Sequence, residues 1–247
     1  MGRLQIKREV VQILKREELV DVHHGLDAYR PKDLVSPLFS SLCHIDELIR
    51  WHAISALGRV VATIADTSLE ESRVIMRRFL WMLNDESGGI GWGVPEAMAE
   101  VMLQQDRLAR EYLHMLVSYT LDDGPEIHQD GNFLELPLLQ QGVLWGLCRM
   151  AAQYRESLLE KKIEDNLKPY FLSDDHQVTA LVCCLADLLN LACYRVDAQR
   201  LQVAGRTVRI YVDGVFYEQE SSVIVADYID GIDRGNNVFR TVAKRVT

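Results

Sequence analysis

"RWHAISALGRVV", residues 50–61, and "GWGVPEAMAEVM", residues 91–102, superpose with a shift of 41 residues. Trp51 meets Trp92, Ala56 meets Ala97 and Val60 meets Val101. A third stretch, "VLWGLCRMAA" at 143–152, follows about 49 residues after the second, and "ALVCCLADLLN" at 180–190 about 38 after that. Each copy carries a small residue where two helices would approach closely: Ala56, Ala97, Gly146, and Cys184 or Ala186. A period near 40 residues with helical spacing inside each copy predicts a two-helix unit, stacked so that neighbours bury each other's apolar faces.

Working outward, the local signals agree with helix pairs. Residues 3–19 form a broad apolar side through Leu4, Ile6, Val10, Val11, Ile13 and Leu14. "HHGLDAYRP" reads as a loop, with Pro31 in the first turn of a short helix that Pro37 should kink. Asp46 is placed to cap the long helix that follows, and Ser68-x-x-Glu71 has the spacing of a capping box. Further helices are expected from Pro95, over 106–121, over 134–154, over 155–172 and, after "SDD", over 176–194. This gives a mostly α fold of about four helix pairs.

"KDLVSPLFSSL" followed by "DELIRWHAISALGRVVATIAD" resembles a HEAT-like repeat, with its kinked first helix and its R-x-x-A-x-x-A-L-G-x second helix. The match is similar to the phycobilisome-lyase-type bacterial subclass, and "ESGGIGWGVPEAMAE" resembles uncharacterised bacterial proteins with HEAT-like domains. The later copies depart from the pattern: Gly93 and Pro95 replace the usual start, and Trp145 sits where a small residue is expected. The resemblance spans residues 31–193. It implies a HEAT-like α-solenoid whose common use is protein binding, and it transfers no catalytic residue.

The last fifty residues change character. "GRTVRIYVDGVFYEQESSVIVADYI" alternates apolar and polar positions, and Asp213-Gly214 favours a type I′ hairpin turn. With Ser222–Tyr228 as a third strand, this predicts a small β meander capping the helical array. The expected organisation is therefore a helical repeat domain over 1–195 and a β appendage with its tail over 196–247.

Charge narrows the partners. The chain carries 36 acids against 27 bases, a formal charge of −9. Between residues 79 and 148 the bases are Arg107 and Arg110, against eleven carboxylates, so the remainder balances. Such a field repels nucleic acid and anionic membrane and favours a protein partner with a basic surface or a cation; equally, the acids can be a solvated face kept for solubility. The apolar runs are read as too short to cross a bilayer, and the N-terminus lacks the uninterrupted apolar core of a secretory signal. Five cysteines without a CxxC pair fit buried thiols in a reducing, cytoplasmic setting.

Three stretches invite chemistry. Gly88, Gly89, Gly91 and Gly93 suggest a phosphate loop, but no GK[ST] follows, no strand precedes, and Asp85 and Glu86 flank it. The glycines are better read as a sharp turn between two helices. Trp92 is then either a plug between layers or, with Ile90, an apolar tip for a partner, rimmed by Glu86, Asp122 and Asp123. Glu126, His128 and Asp130 alternate in "EIHQD" and would face one side of an extended loop, where they could hold a divalent cation. No GxSxG occurs, no cysteine has an evident base, and His52 and His176 fit structural hydrogen bonds. No catalytic residue and no cofactor follow from these residues. The favoured reading is a non-enzymatic protein-interaction scaffold. The alternative is an enzyme or accessory protein, lyase-like or cofactor-handling, that uses the acidic loops.

Overall fold

The computed structural model describes residues 2–84, 91–122, 132–201 and 205–246, with side chains through residue 242. Its contacts separate two compact units, Met1–Leu113 and His114–Thr247.

The first unit begins with α1, Arg3–Leu14, and α2, Leu19–Leu26. The "HHGL" segment read as loop is thus the end of α2, where Val22 and Leu26 bury at helical spacing. α3 spans Pro31–Ser41 with Pro31 as its first residue, and α4 spans Glu47–Thr67. The Asp46 carboxylate accepts from the backbone N–H of Leu48 and Ile49, which sets where α4 starts. α5 covers Leu69–Leu83 and α6 Val94–Gln104. Ser68 Oγ accepts from the Glu71 N–H at 3.4 Å, while the Glu71 carboxylate pairs with Lys32 instead of completing the capping box.

α4 is apolar on nearly every side, and it is the buried centre of this unit. By length and composition alone its 21 residues would suit a bilayer, contrary to the sequence reading; 72% of its apolar window is buried inside the fold. The repeat appears as a spatial register. Lys32 meets Glu71, Gln105 meets Asp66 and Arg73 meets Glu111, pairs 38–39 residues apart. Phe39 stacks on Phe79 with ring centroids 4.7 Å apart. Gly58 takes the closest approach between α4 and α6: an added Cβ would lie 2.8 Å from Glu100 Cβ. Ala56 and Ala97, matched in sequence, are both fully buried. The second copy starts later than the first, however. Trp51 lies inside α4, whereas Trp92 stands just outside α6.

α7, Asp106–Ser118, runs across the division. In the second unit α8, Pro137–Glu160, breaks at Tyr154, where the backbone leaves helical geometry. Of the helix expected over 155–172, the first part is the end of α8, through Glu160, and short 3₁₀ turns, Ile163–Asn166 and Lys168–Leu172, replace the rest. α9 spans His176–Leu188, and its Asp175 cap accepts from the N–H groups of Gln177 and Val178. Gln141, Cys148 and Arg155 on α8 reach Asp175, Leu181 and Leu189, a constant offset of 33–34 residues. A four-residue turn, α10 (Arg195–Ala198), then leads to β1, Thr207–Val212, and β2, Val215–Glu220.

β1 and β2 pair antiparallel with Val212 opposite Val215. Asp213 and Gly214 take φ of 49° and 91°, the left-handed pair that the Asp-Gly signal predicts. Trp145 Nε1 on α8 donates to the Tyr211 carbonyl at 2.7 Å, and Arg149 pairs with Asp213 at 2.6 Å. Trp145, anomalous as a repeat residue, thus anchors the hairpin. The meander is corrected to this two-stranded hairpin. Residues 221–230 form a helix, α11 (Ser221–Asp230), because Ile224, Val225 and Tyr228 bury at helical spacing. α12, Val238–Val246, crosses back over the unit: Phe239 packs edge-on against Trp145 and Arg240 pairs with Asp187. The fold is mostly α, built of helix pairs in repeat register, with a small β element near the C-terminus.

Candidate functional site

The glycine-rich connection joins α5 to α6, the two helices of one pair. Gly93 is the N-cap of α6 at φ +73°, with Leu42 Cδ2 3.3 Å and the Leu42 carbonyl 3.4 Å from where a Cβ would stand. A side chain there would be strained and crowded. Gly93 therefore lets the start of α6 sit against the end of α3, and Trp92 is carried to the surface beside it.

Trp92 is 40% exposed, which removes it from the role of an interior plug. Two further large apolar side chains stand at the same end of the unit. Ile45, in the α3–α4 turn, is 96% exposed, and Trp81, in the last turn of α5, is 80% exposed. The Phe39–Phe79 stack holds the C-terminal ends of α3 and α5 together, so the connections that follow both helices start at the same end of the unit. Arg78 lies over the Phe39 ring at 4.0 Å and covers the stack. Sequence reasoning missed Trp81, yet a signal was there. Ile75, Met76, Phe79 and Leu83 form the buried face of α5, and Trp81 belongs to the opposite face with Arg77 and Arg78.

Behind this edge lies an unusual carboxylate. Glu96 occupies the first turn of α6, and among the described residues its Oε2 is sealed from solvent and accepts no hydrogen bond. Burial pushes its pKa up to about 7, against its own backbone N–H and the positive charge of Arg50, which pull it down.

The other proposed positions separate. Ile90, Glu86, Asp123, Glu126, His128 and Asp130 lie outside the described residues, as do Gly88 and Gly89. Asp122 is exposed in the second unit. Not every carboxylate of the 79–148 stretch contributes to an open acidic face: Glu100 is buried, Glu96 is partly so, and Glu111 is held in the ionised form by Arg73 at 2.8 Å. Cys148, Cys183 and Cys184 are buried, and burial pushes all three thiols up, away from the reactive thiolate. Cys43 and Cys193 are exposed, against the expectation that all five would be buried. His52 Nδ1 lies 2.9 Å from the Leu14 carbonyl, a structural link between α4 and α1. Among the described residues no group of three or more metal-ligating side chains converges.

No family model matches this chain. It is 33% identical over 99 residues to an uncharacterised protein of Archaeoglobus fulgidus, a stretch that is 40% of this chain and 48% of that protein. The chain thus spans about half the length of the curated relative that it matches. Among solved structures it is similar to an engineered protein determined by the Northeast Structural Genomics Consortium. The TM-score is 0.50 at 11% identity, over 95% of this chain and 98% of the other. A designed armadillo repeat protein gives a TM-score of 0.46 at 15% identity, over 91% of this chain and 98% of that one. At these identities the first likeness concerns the fold alone.

Proposed function

We propose that this chain is a HEAT-like interaction scaffold that binds a protein partner with a basic surface along the loop edge of its first unit. The observation that carries the reading is the exposure of Ile45, Trp81 and Trp92, three large apolar side chains in or beside the α3–α4 and α5–α6 connections. Leaving two indoles in water is unfavourable, and tryptophan is among the residues that dominate binding energy when a partner covers them. Helical repeats lend themselves to such use, because the stacked units hold successive turns in fixed register. The acid-rich stretch from 79 to 148, which carries Trp81 and Trp92, supplies attraction toward a basic partner.

The test is affinity capture from the native cell with the wild-type chain and with the Trp81→Ala/Trp92→Ala variant. The expected outcome is a basic protein recovered at near-equal amount with the wild type and lost with a folded variant. Equal recovery by both chains would remove the edge from the binding reaction.

A further inference from the structure

A different feature stands within the first unit. The C-terminal half of α2, the turn that follows it, the start of α3 and the middle of α4 enclose a hollow of about 260 Å³. Its floor is apolar: Leu26, Leu34, Ala56 and Val60 line it, and each is buried. Ala56, the small residue of the first repeat copy, leaves room there that a larger side chain would fill. Tyr29 forms a wall, and its hydroxyl donates to Glu9 Oε2 at 2.7 Å, which fixes the ring. Asp27 and Arg59 both line the hollow, and Arg59 Nη2 lies 2.9 Å from one Asp27 oxygen and 3.2 Å from the other.

The polar groups narrow the ligand. Arg59 and Asp27 balance each other, and burial, aided by the Arg59 charge, pushes the pKa of His23, also in the lining, down toward the neutral imidazole. The lining thus carries no net charge, and an ion entering it would lose water without gaining an uncommitted counter-charge. One Arg59 nitrogen serves both carboxylate oxygens. Among the described residues the other guanidinium N–H groups make no hydrogen bond, and the carboxylate keeps lone pairs. A donor and an acceptor therefore stand side by side next to an apolar floor. A lactam edge, N–H beside C=O, presents the complementary pair on a flat ring, and that ring packs against the floor and Tyr29. The volume falls below the roughly 300–1,000 Å³ of a site for a drug-sized ligand, which suits one fused bicycle. From this arrangement we infer that the hollow binds a neutral purine-type base with a lactam edge, its N–H donating to Asp27 and its carbonyl accepting from Arg59.

Calorimetric titration with hypoxanthine tests this. Saturable 1:1 binding is expected, at least tenfold weaker in the Asp27→Ala/Arg59→Met variant. The two side chains stand about half in water, where an ion pair contributes little to stability, so the variant's circular dichroism should match the wild type. Purine, the same bicycle without the carbonyl, should bind several-fold more weakly than hypoxanthine. That comparison uses the wild type alone and holds whether or not the variant folds. Absence of saturation, equal affinity in the folded variant, or equal affinity for purine would overturn the assignment. Inosine 5′-phosphate separates the free base from its nucleotide: it should bind no tighter than hypoxanthine, and tighter binding would overturn the free-base reading.

Discussion

At the scale of single residues, Gly93, Trp92 and Glu96 lie within four positions and do three different things. Gly93→Ala should lower stability by about 1–2 kcal/mol, because an L side chain meets a left-handed backbone and Leu42 together. Trp92→Ala should cost less than about 1 kcal/mol, since 40% of the residue already faces water. Urea titration of both variants checks the contrast, and a larger loss for Trp92→Ala would return it to the interior. Glu96 governs a pH dependence. Its folded pKa, about 7, lies above the ordinary value of 4.5, so the folded state holds the proton more tightly than the unfolded chain. Its contribution is fully present below pH 4.5 and is lost as pH rises through 7. Glu96→Gln should therefore stabilise the protein at pH 8 by about 1–2 kcal/mol, scaled down for its partial exposure, and leave pH 4.5 nearly unchanged. Thermal melts at the two pH values measure this. The glycines and Trp92 were visible in the sequence; the sealed carboxylate was not, because nothing local marks Glu96 as different from the neighbouring acids.

At the scale of elements, the caps were legible because they are local chemistry. Asp46, Ser68 and Asp175 each accept from the N–H groups one turn ahead, as their spacing predicts. The β-branched run "SSVIVADYI" misled, because its residues are set by what they pack on and not by intrinsic preference. Ile224, Val225 and Tyr228 bury one helical face, and the Tyr228 hydroxyl donates to the Leu191 carbonyl at 2.5 Å. The role of Trp145 was likewise hidden, since its partner carbonyl lies 66 residues away. Trp145→Phe keeps an aromatic ring and removes the indole N–H that the Tyr211 carbonyl accepts, at a cost of about 1–3 kcal/mol. Amide exchange should then quicken across β1 and β2 while α4 keeps its protection. Unchanged exchange in the hairpin would show that Asp213–Arg149 and Phe239 hold it without the indole.

At the scale of the whole molecule, the 41-residue shift was the most informative sequence feature. It reappears as two ion pairs, a hydrogen bond and a ring stack between residues 38–40 apart, because equivalent helices of successive pairs lie side by side. What the shift could not give was the exposure of Ile45, Trp81 and Trp92, which come from two turns and a helix end and are left in water only by how the helices pack. If the acidic stretch steers the partner, affinity should fall at least several-fold between 50 and 300 mM salt, mainly through slower association. Salt-independent binding would leave the apolar edge without its electrostatic complement. The central claim is tested most directly by hydrogen–deuterium exchange of the wild-type chain, alone and bound to the captured partner. Protection on binding should concentrate at residues 43–47 and 79–94. Protection confined to other surfaces, with these turns unchanged, would contradict it.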